Sequence, residues 1–256
     1  MKLFYASLIL VLAILLDSGC RGKESQGKNS GNENDNTSVP DTGFTGIKQS
    51  MSGGHVAMET NYKNGVKDGI AKTYYASGRL RGTLMYENGL RVDSAKWYFE
   101  EGQLFRTTPY KRDTVDGIQK QYFRNGKLKA MIGYSKGFRT FDFQEFDKEG
   151  RKIGGYPDIT VNIKDEYKTK GTCTISLGLS DKSTKVRYYR VDFGNMVFDS
   201  TRAVKIKTVN GVGTLELKKT ATAQSGNVEV LAAIITFYGN SYLLPKKIEL
   251  PYKDLN

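Results

Sequence analysis

Side chains that usually carry chemistry are scarce in this chain of 256 residues, which has two cysteines, one histidine and one tryptophan. Cys20 and Cys173 are far apart, and a role for Cys20 at the N-terminus leaves Cys173 alone, without an intrachain disulfide. Cys173 alternates in phase with Ile175, Leu177 and Leu179, the pattern of a small hydrophobe facing a core. A nucleophilic cysteine needs a base nearby, and His55 lies far from Cys173 in sequence. One histidine and one core cysteine make no zinc site. Carboxylates are scattered. Asp68 and Asp116 each precede a glycine and read as turn residues rather than an acid/base pair. No catalytic motif is present, and we expect no enzyme activity, cofactor or metal. Acidic residues are also few, 27 Asp and Glu against 39 Lys and Arg, for a net charge of +12. Such a balance favours anionic partners. Lysines that guard exposed sheet faces and edges account for much of it.

The one long apolar run, Leu3–Leu16, is 14 residues, short for a bilayer span. It follows Lys2 and precedes Asp17-Ser18-Gly19-Cys20, the order of a secretory leader. Ser18-Gly19-Cys20 resembles a lipobox, with Asp17 where leucine is usual. The resemblance implies lipid attachment at Cys20. It also implies the outer membrane, since Arg21 stands where an aspartate retains lipoproteins at the inner membrane; the face is left open. An exported chain rarely meets nucleic acid. Residues 21–45 are polar and low in complexity, so 1–19 reads as a signal peptide and 20–45 as a disordered tether.

What the chain has in abundance is a repeat. From Tyr62 a tyrosine returns every 24 residues at Tyr86, Tyr110 and Tyr134. Another aromatic follows at Tyr74, Tyr98, Tyr122 and Phe146, a glycine at Gly78, Gly102, Gly126 and Gly150, and a leucine at Leu80, Leu104 and Leu128, with Lys152 in the last copy. A fixed period is the mark of a repeat architecture. Asn64-Gly65, Ser77-Gly78, Asn88-Gly89, Glu101-Gly102, Asn125-Gly126, Lys136-Gly137 and Glu149-Gly150 divide it into short strands joined by hairpin turns. Each copy is thus one hairpin, and 46–154 reads as an antiparallel ribbon of about nine strands. Within a strand, Ile70, Lys72 and Tyr74 share one face, and Ala71, Thr73 and Tyr75 the other.

Tyr62-Lys-Asn-Gly65, Asp68-Gly69, Tyr74, Gly78 and Leu80, echoed by Tyr110, Asp116-Gly117, Tyr122, Gly126 and Leu128, resemble MORN repeats of the bacterial variant found in YwqK-family antitoxin-like proteins. The second copy departs at Asp93-Ser94 and the fourth at Thr140-Phe141. The resemblance implies a scaffold for binding proteins or, in some members, lipid head groups, and no catalytic residues. The export signal counts against a cytoplasmic antitoxin.

After Gly154 the period stops. Alternating segments at 158–164, 172–179, 185–193, 203–208, 213–219, 228–238 and 247–252 predict an immunoglobulin-like β-sandwich over 155–256. Val230–Phe237, apolar on both faces, reads as its most central strand. The fold class is therefore all-β, an antiparallel meander of MORN-type hairpins followed by a sandwich. Trp97 breaks the period, since Thr73, Gln121 and Glu145 stand at the matching positions. With Phe99, Tyr75 and Phe123 it forms the candidate partner-binding strip, near Arg81, Lys96 and Arg106; packing on the neighbouring domain is the competing role. We expect a membrane-anchored protein-interaction module, with a binder of anionic glycan, lipopolysaccharide or lipid head groups as the alternative.

Overall fold

The computed structural model describes residues 43–194, 196–222 and 226–256. The signal peptide, Cys20 and the tether as far as residue 42 lie outside the described residues. The ribbon consists of β1 Gly46–Ser52, β2 His55–Lys63, β3 Val66–Tyr74, β4 Leu80–Glu87, β5 Leu90–Tyr98, β6 Leu104–Lys111, β7 Thr114–Val115, β8 Gly117–Tyr122, β9 Leu128–Ser135 and β10 Phe138–Glu145. All neighbours pair antiparallel in chain order, with β7 and β8 both on β6.

The register explains the period. Tyr74, Tyr98 and Tyr122 sit opposite Leu80, Leu104 and Leu128, each pair closing a strand at a one-residue bulge. At the strands' other end Tyr86 pairs with Gly69, Tyr110 with Asp93 and Tyr134 with Gly117. Gly69 and Gly117 have φ of 97° and 112°, and Asp93 takes the same left-handed region at 57°. The departure of the second copy thus changes the residue and keeps the backbone, which aspartate tolerates better than most side chains.

Two turn types alternate. Asn64-Gly65, Asn88-Gly89 and Lys136-Gly137 have positive φ at both residues, as two-residue hairpins require. Arg112-Asp113 does the same without glycine, at 48° and 65°, and no turn signal announces it. Gly53-Gly54 also has positive φ at both residues, between β1 and β2. Four further turns span four residues: Tyr75–Gly78, Phe99–Gly102, Phe123–Gly126 and Asp147–Gly150. In each, the glycine N–H donates to the first residue's carbonyl at 2.9–3.0 Å.

The second sheet contains β11 Ile159–Glu166, β12 Thr172–Leu179, β13 Val186–Arg190, β15 Val204–Val209, β16 Val212–Lys218, β17 Asn227–Ile235 and β18 Ser241–Glu249, with one helical turn, α1 Tyr167–Lys170, after β11. Its order is β11-β12-β16-β15-β13-β17-β18. The two layers expected of a sandwich are the halves of this one sheet. Val204–Ile206 of β15 pair with β13, Lys207–Val209 pair with β16, and the sheet curls across that strand. Cys173, Ile175 and Leu177 of β12 and Val230 and Ala232 of β17 meet in the core with Tyr188 and Leu217.

Two expectations need correction. The middle strand is β15, and β17 is last but one; it reads as central because Leu231, on its other face, is also wholly buried. The segment 228–238 is not one strand, since a turn at Thr236–Asn240 ends β17 and starts β18 at Ser241. Pro245 disguised β18 in the sequence. It sits on an edge strand, where the missing N–H does no harm.

A short strand, β14 Val197–Phe198, crosses over to pair with Thr140 and Arg139 of β10. Both sheets belong to one compact unit.

Candidate interaction surface

The ribbon copies are tied to one another along both edges. Gly65, Gly89, Asp113 and Gly137 each donate a backbone N–H to the preceding copy, to the carbonyls of Phe44, Lys67, Arg91 and Val115, at 2.8–2.9 Å. The cations Lys48, Lys67, Arg91 and Arg139 lie over the rings of Tyr62, Tyr86, Tyr110 and Tyr134 at 4.5–5.4 Å. Beside its ring, Arg91 also donates to Asp113 Oδ1 at 2.7 Å, holding that carboxyl below its ordinary range. At the opposite edge the Tyr75 hydroxyl donates to the carbonyl of Tyr98 at 2.7 Å and Ser77 to Glu100 at 2.6 Å. Arg124 bonds Glu101 and covers Phe99. The recurrent aromatics are therefore cross-braces of the scaffold first.

Residues 67–88, 94–112 and 115–136 match the family model of the MORN repeat variant. The ribbon carries MORN repeats. No curated protein matches the chain. The fourth copy lies beyond the matched segments from Gly137 onward. In it Phe141, where a glycine is expected, packs edge-on against Phe193, between β13 and β14, at 5.5 Å.

The two faces of the MORN ribbon differ. On one, a cross-strand row runs Met58–Thr73–Gly82–Trp97–Arg106–Gln121–Ala130–Glu145. The half-buried Trp97 lies flat on Gly82, where an added Cβ would come within 2.5 Å of the indole. A glycine opposite an aromatic ring is thus covered by it. The Arg106 guanidinium sits 5.9 Å from the indole centroid. Tyr75, Phe99 and Phe123 open the four-residue turns rather than continuing a strand, so they do not extend this row. Phe99 pairs with Phe105 at 5.1 Å. Phe123 packs on Tyr238 of the β17–β18 turn at 5.4 Å and is taken up by a contact within the chain. Lys96 points to the other face. The structure does not assemble the expected strip around Trp97.

The other face carries the row Gln49–Glu59–Lys72–Thr83–Lys96–Thr107–Lys120–Met131–Gln144. Lys72, Lys96 and Lys120 are exposed, and among the described residues none forms an ion pair. They occupy every second strand, about 10 Å apart. Ile70, Met85, Phe105 and Ile118 alternate with this row and are exposed as well. The signal for the row was present in the sequence as lysine at a 24-residue spacing, hidden beneath the aromatic period. At its first end the Tyr74 hydroxyl donates to Glu59 at 2.6 Å; burial and that carboxylate push the phenol up to about 12.

Where the ribbon meets the second sheet, Glu145 is 1% exposed. Its carboxylate accepts hydrogen bonds from Thr236 Oγ1 and Asn240 Nδ2, both at 2.8 Å, and from the Tyr156 hydroxyl at 3.1 Å. Burial, then the Glu145 charge, raises the Tyr156 phenol above its usual range. Phe143, Tyr156 and Tyr242 pack beside it with centroids 4.5–5.8 Å apart. A cleft of about 550 Å³ opens there between Gly154–Pro157, Asp181–Lys185 and Ile234–Tyr238. Cys173 is wholly buried, with Asp165 Oδ1 at 3.6 Å, and burial raises its thiol.

Proposed function

We propose that this chain is a lipid-anchored protein of the outer membrane whose MORN ribbon is a non-catalytic protein-interaction module, an accessory subunit of a cell-envelope assembly. Repeats of this family are interaction motifs, which supports a binding role. The observation that carries the reading is the open face of the ribbon. Lys96 and Lys120 stand there without an ion pair among the described residues, and Lys72 has Glu59 as its cross-strand neighbour; beside them are the exposed Ile70, Met85, Phe105 and Ile118. A basic row with apolar margins suits a partner with acidic residues around an apolar centre, where charge sets the encounter and apolar burial the affinity. The anchor rests on Ser18-Gly19-Cys20 after the apolar run Leu3–Leu16. Acyl chains contribute about 0.8 kcal/mol per buried methylene, so two or more chains hold firmly.

Two experiments test this reading. Cys20→Ser should move the protein into the soluble fraction, and a variant that stays on membranes after a salt wash refutes the anchor. Purification of the full chain from gently solubilised membranes should recover a stoichiometric protein partner, lost when Lys72, Lys96 and Lys120 are all changed to Glu. The regular lysine spacing also suits a linear anionic glycan or lipopolysaccharide. Retention on those materials without any protein partner supports that second reading instead.

A further inference from the structure

We propose that β1 is a pairing edge for a second copy of this chain, the two β1 strands running antiparallel about a two-fold axis at Gln49. Among the described residues β1 ends the ribbon sheet and pairs with β2 alone. Six of its seven residues are exposed and Lys48 is its only charge. A strand edge of this kind is a template for another strand unless it is blunted by charge, proline or bulges. The other outer strands are blunted. β11 carries Lys164, Asp165 and Glu166, and β18 carries Pro245, Lys246, Lys247 and Glu249. Lys246 Nζ also reaches across the curl to the carbonyl of Ile159 at 2.8 Å. The far end of the ribbon sheet is closed by β14 on β10. β1 has no proline, and the bulge near its end places the extra residue, Ala57, on β2 and not on β1.

The sequence of β1 is self-complementary in one register. A two-fold axis perpendicular to the sheet keeps each face on its own side, so it passes through a residue and not between two. At Gln49 it sets Ile47 opposite Met51, Lys48 opposite Ser50 and Gly46 opposite Ser52. Ile47 and Met51, 58% and 61% exposed, then cover each other. An axis at Lys48 would oppose two lysines, which destabilises a strand pair. An axis at Ser50 would leave Ile47 without an opposite strand residue. In the Gln49 register the row that carries Lys72, Lys96 and Lys120 continues through Glu59 and Gln49 into the second copy. The proposal does not depend on the function proposed above, since it concerns the sheet edge and not the open face.

The test uses the full chain with Cys20→Ser, which leaves the buried Cys173 as the only native thiol. Opposed residues in an antiparallel pair have Cα atoms roughly 4.5–5.5 Å apart, within disulfide reach. Gln49→Cys should give a covalent dimer under mild oxidation. Lys48→Cys alone should give little, and a mixture of Lys48→Cys with Ser50→Cys should restore it. Sedimentation of the unmodified full chain in detergent should show a protein mass twice that of one chain. Ile47→Lys with Met51→Lys should reduce it to one chain with the melting temperature unchanged. A single-chain mass throughout overturns the proposal, as does equal crosslinking of the Gln49→Cys and Lys48→Cys variants. Protection of β1 amides from hydrogen exchange in a single-chain species also overturns it, by assigning the edge to another segment of the same chain.

Discussion

The ribbon and the curled sheet are both antiparallel β-structure, yet they are held together differently. The buried residues of the ribbon are mostly small, Thr60, Ala71, Ala95, Thr108 and Ala130, with Ile132 and Glu145 the larger ones. Those of the curled sheet include Tyr188, Ile175, Leu177 and Leu217. The ribbon closes its bonds between neighbouring copies, as in Gly89 to Lys67 and Asp113 to Arg91. The curled sheet gathers strands from its two ends around a common core. A stack of repeats sums local terms, whereas a shared core fails as a unit. Damage in the ribbon should therefore stay small and local, and damage in the curled sheet should be large and general.

The largest expected effect is Leu177→Ala. Leu177 is 0% exposed in the shared core, and its truncation should cost about 3–4 kcal/mol in chemical denaturation. A loss below about 1 kcal/mol would show that the two halves of the sheet do not share that core. Next comes Glu145→Ala, which strips the acceptor from Thr236, Asn240 and Tyr156 at the junction. One buried donor and two half-buried ones left without a partner should cost about 3 kcal/mol, and the amides of the 236–240 turn should exchange faster. Unchanged exchange in that turn would mean that the carboxylate does not hold the sheets together.

Gly126→Val should cost about 2 kcal/mol, because Gly126 has φ of 80° and a β-branched residue is disfavoured there. An added Cβ would meet nothing within 4 Å, so the cost is conformational. Lys120→Val on the open face is the comparison, and equal melting temperatures would refute the turn assignment. Trp97→Ala, half-buried, should lose about 2 kcal/mol, less than a full core truncation. Gly82→Ala should be damaging on its own and harmless once Trp97 is alanine, a coupling that a double-mutant cycle reads directly. Additive effects would mean that the indole does not rest on that glycine. The smallest change is a gain. Asp93→Gly relieves a non-glycine residue at φ of 57° and should raise stability by about 0.5–1 kcal/mol. A loss would show that the aspartate side chain has a bond that compensates for its backbone.

Much of the ribbon could be read without a structure, because every copy meets the same environment and so repeats the same residues. The tyrosine and leucine positions mark pairs that close each strand, and the Asn-Gly steps mark turns. Arg112-Asp113 escaped notice because a neighbouring copy holds that turn, through Arg91, where glycine would otherwise be needed. Trp97 was visible as an exception, but its partner was not. The indole pairs with Gly82 one strand away, whereas Phe99, two residues along, has already left the strand.

By itself the sequence determined what is local: the hairpins, the alternation of faces within each strand, the left-handed turn glycines and the all-β class. Only the tertiary structure decided which faces are covered, that the second sheet curls instead of dividing in two, and that Phe123 and Glu145 turn inward while the lysine row stays open. Those choices depend on contacts such as Glu145 with Thr236 and Asn240, 91 and 95 residues apart. Burial of a polar group is favourable only when distant partners arrive together, and no short window of sequence records that.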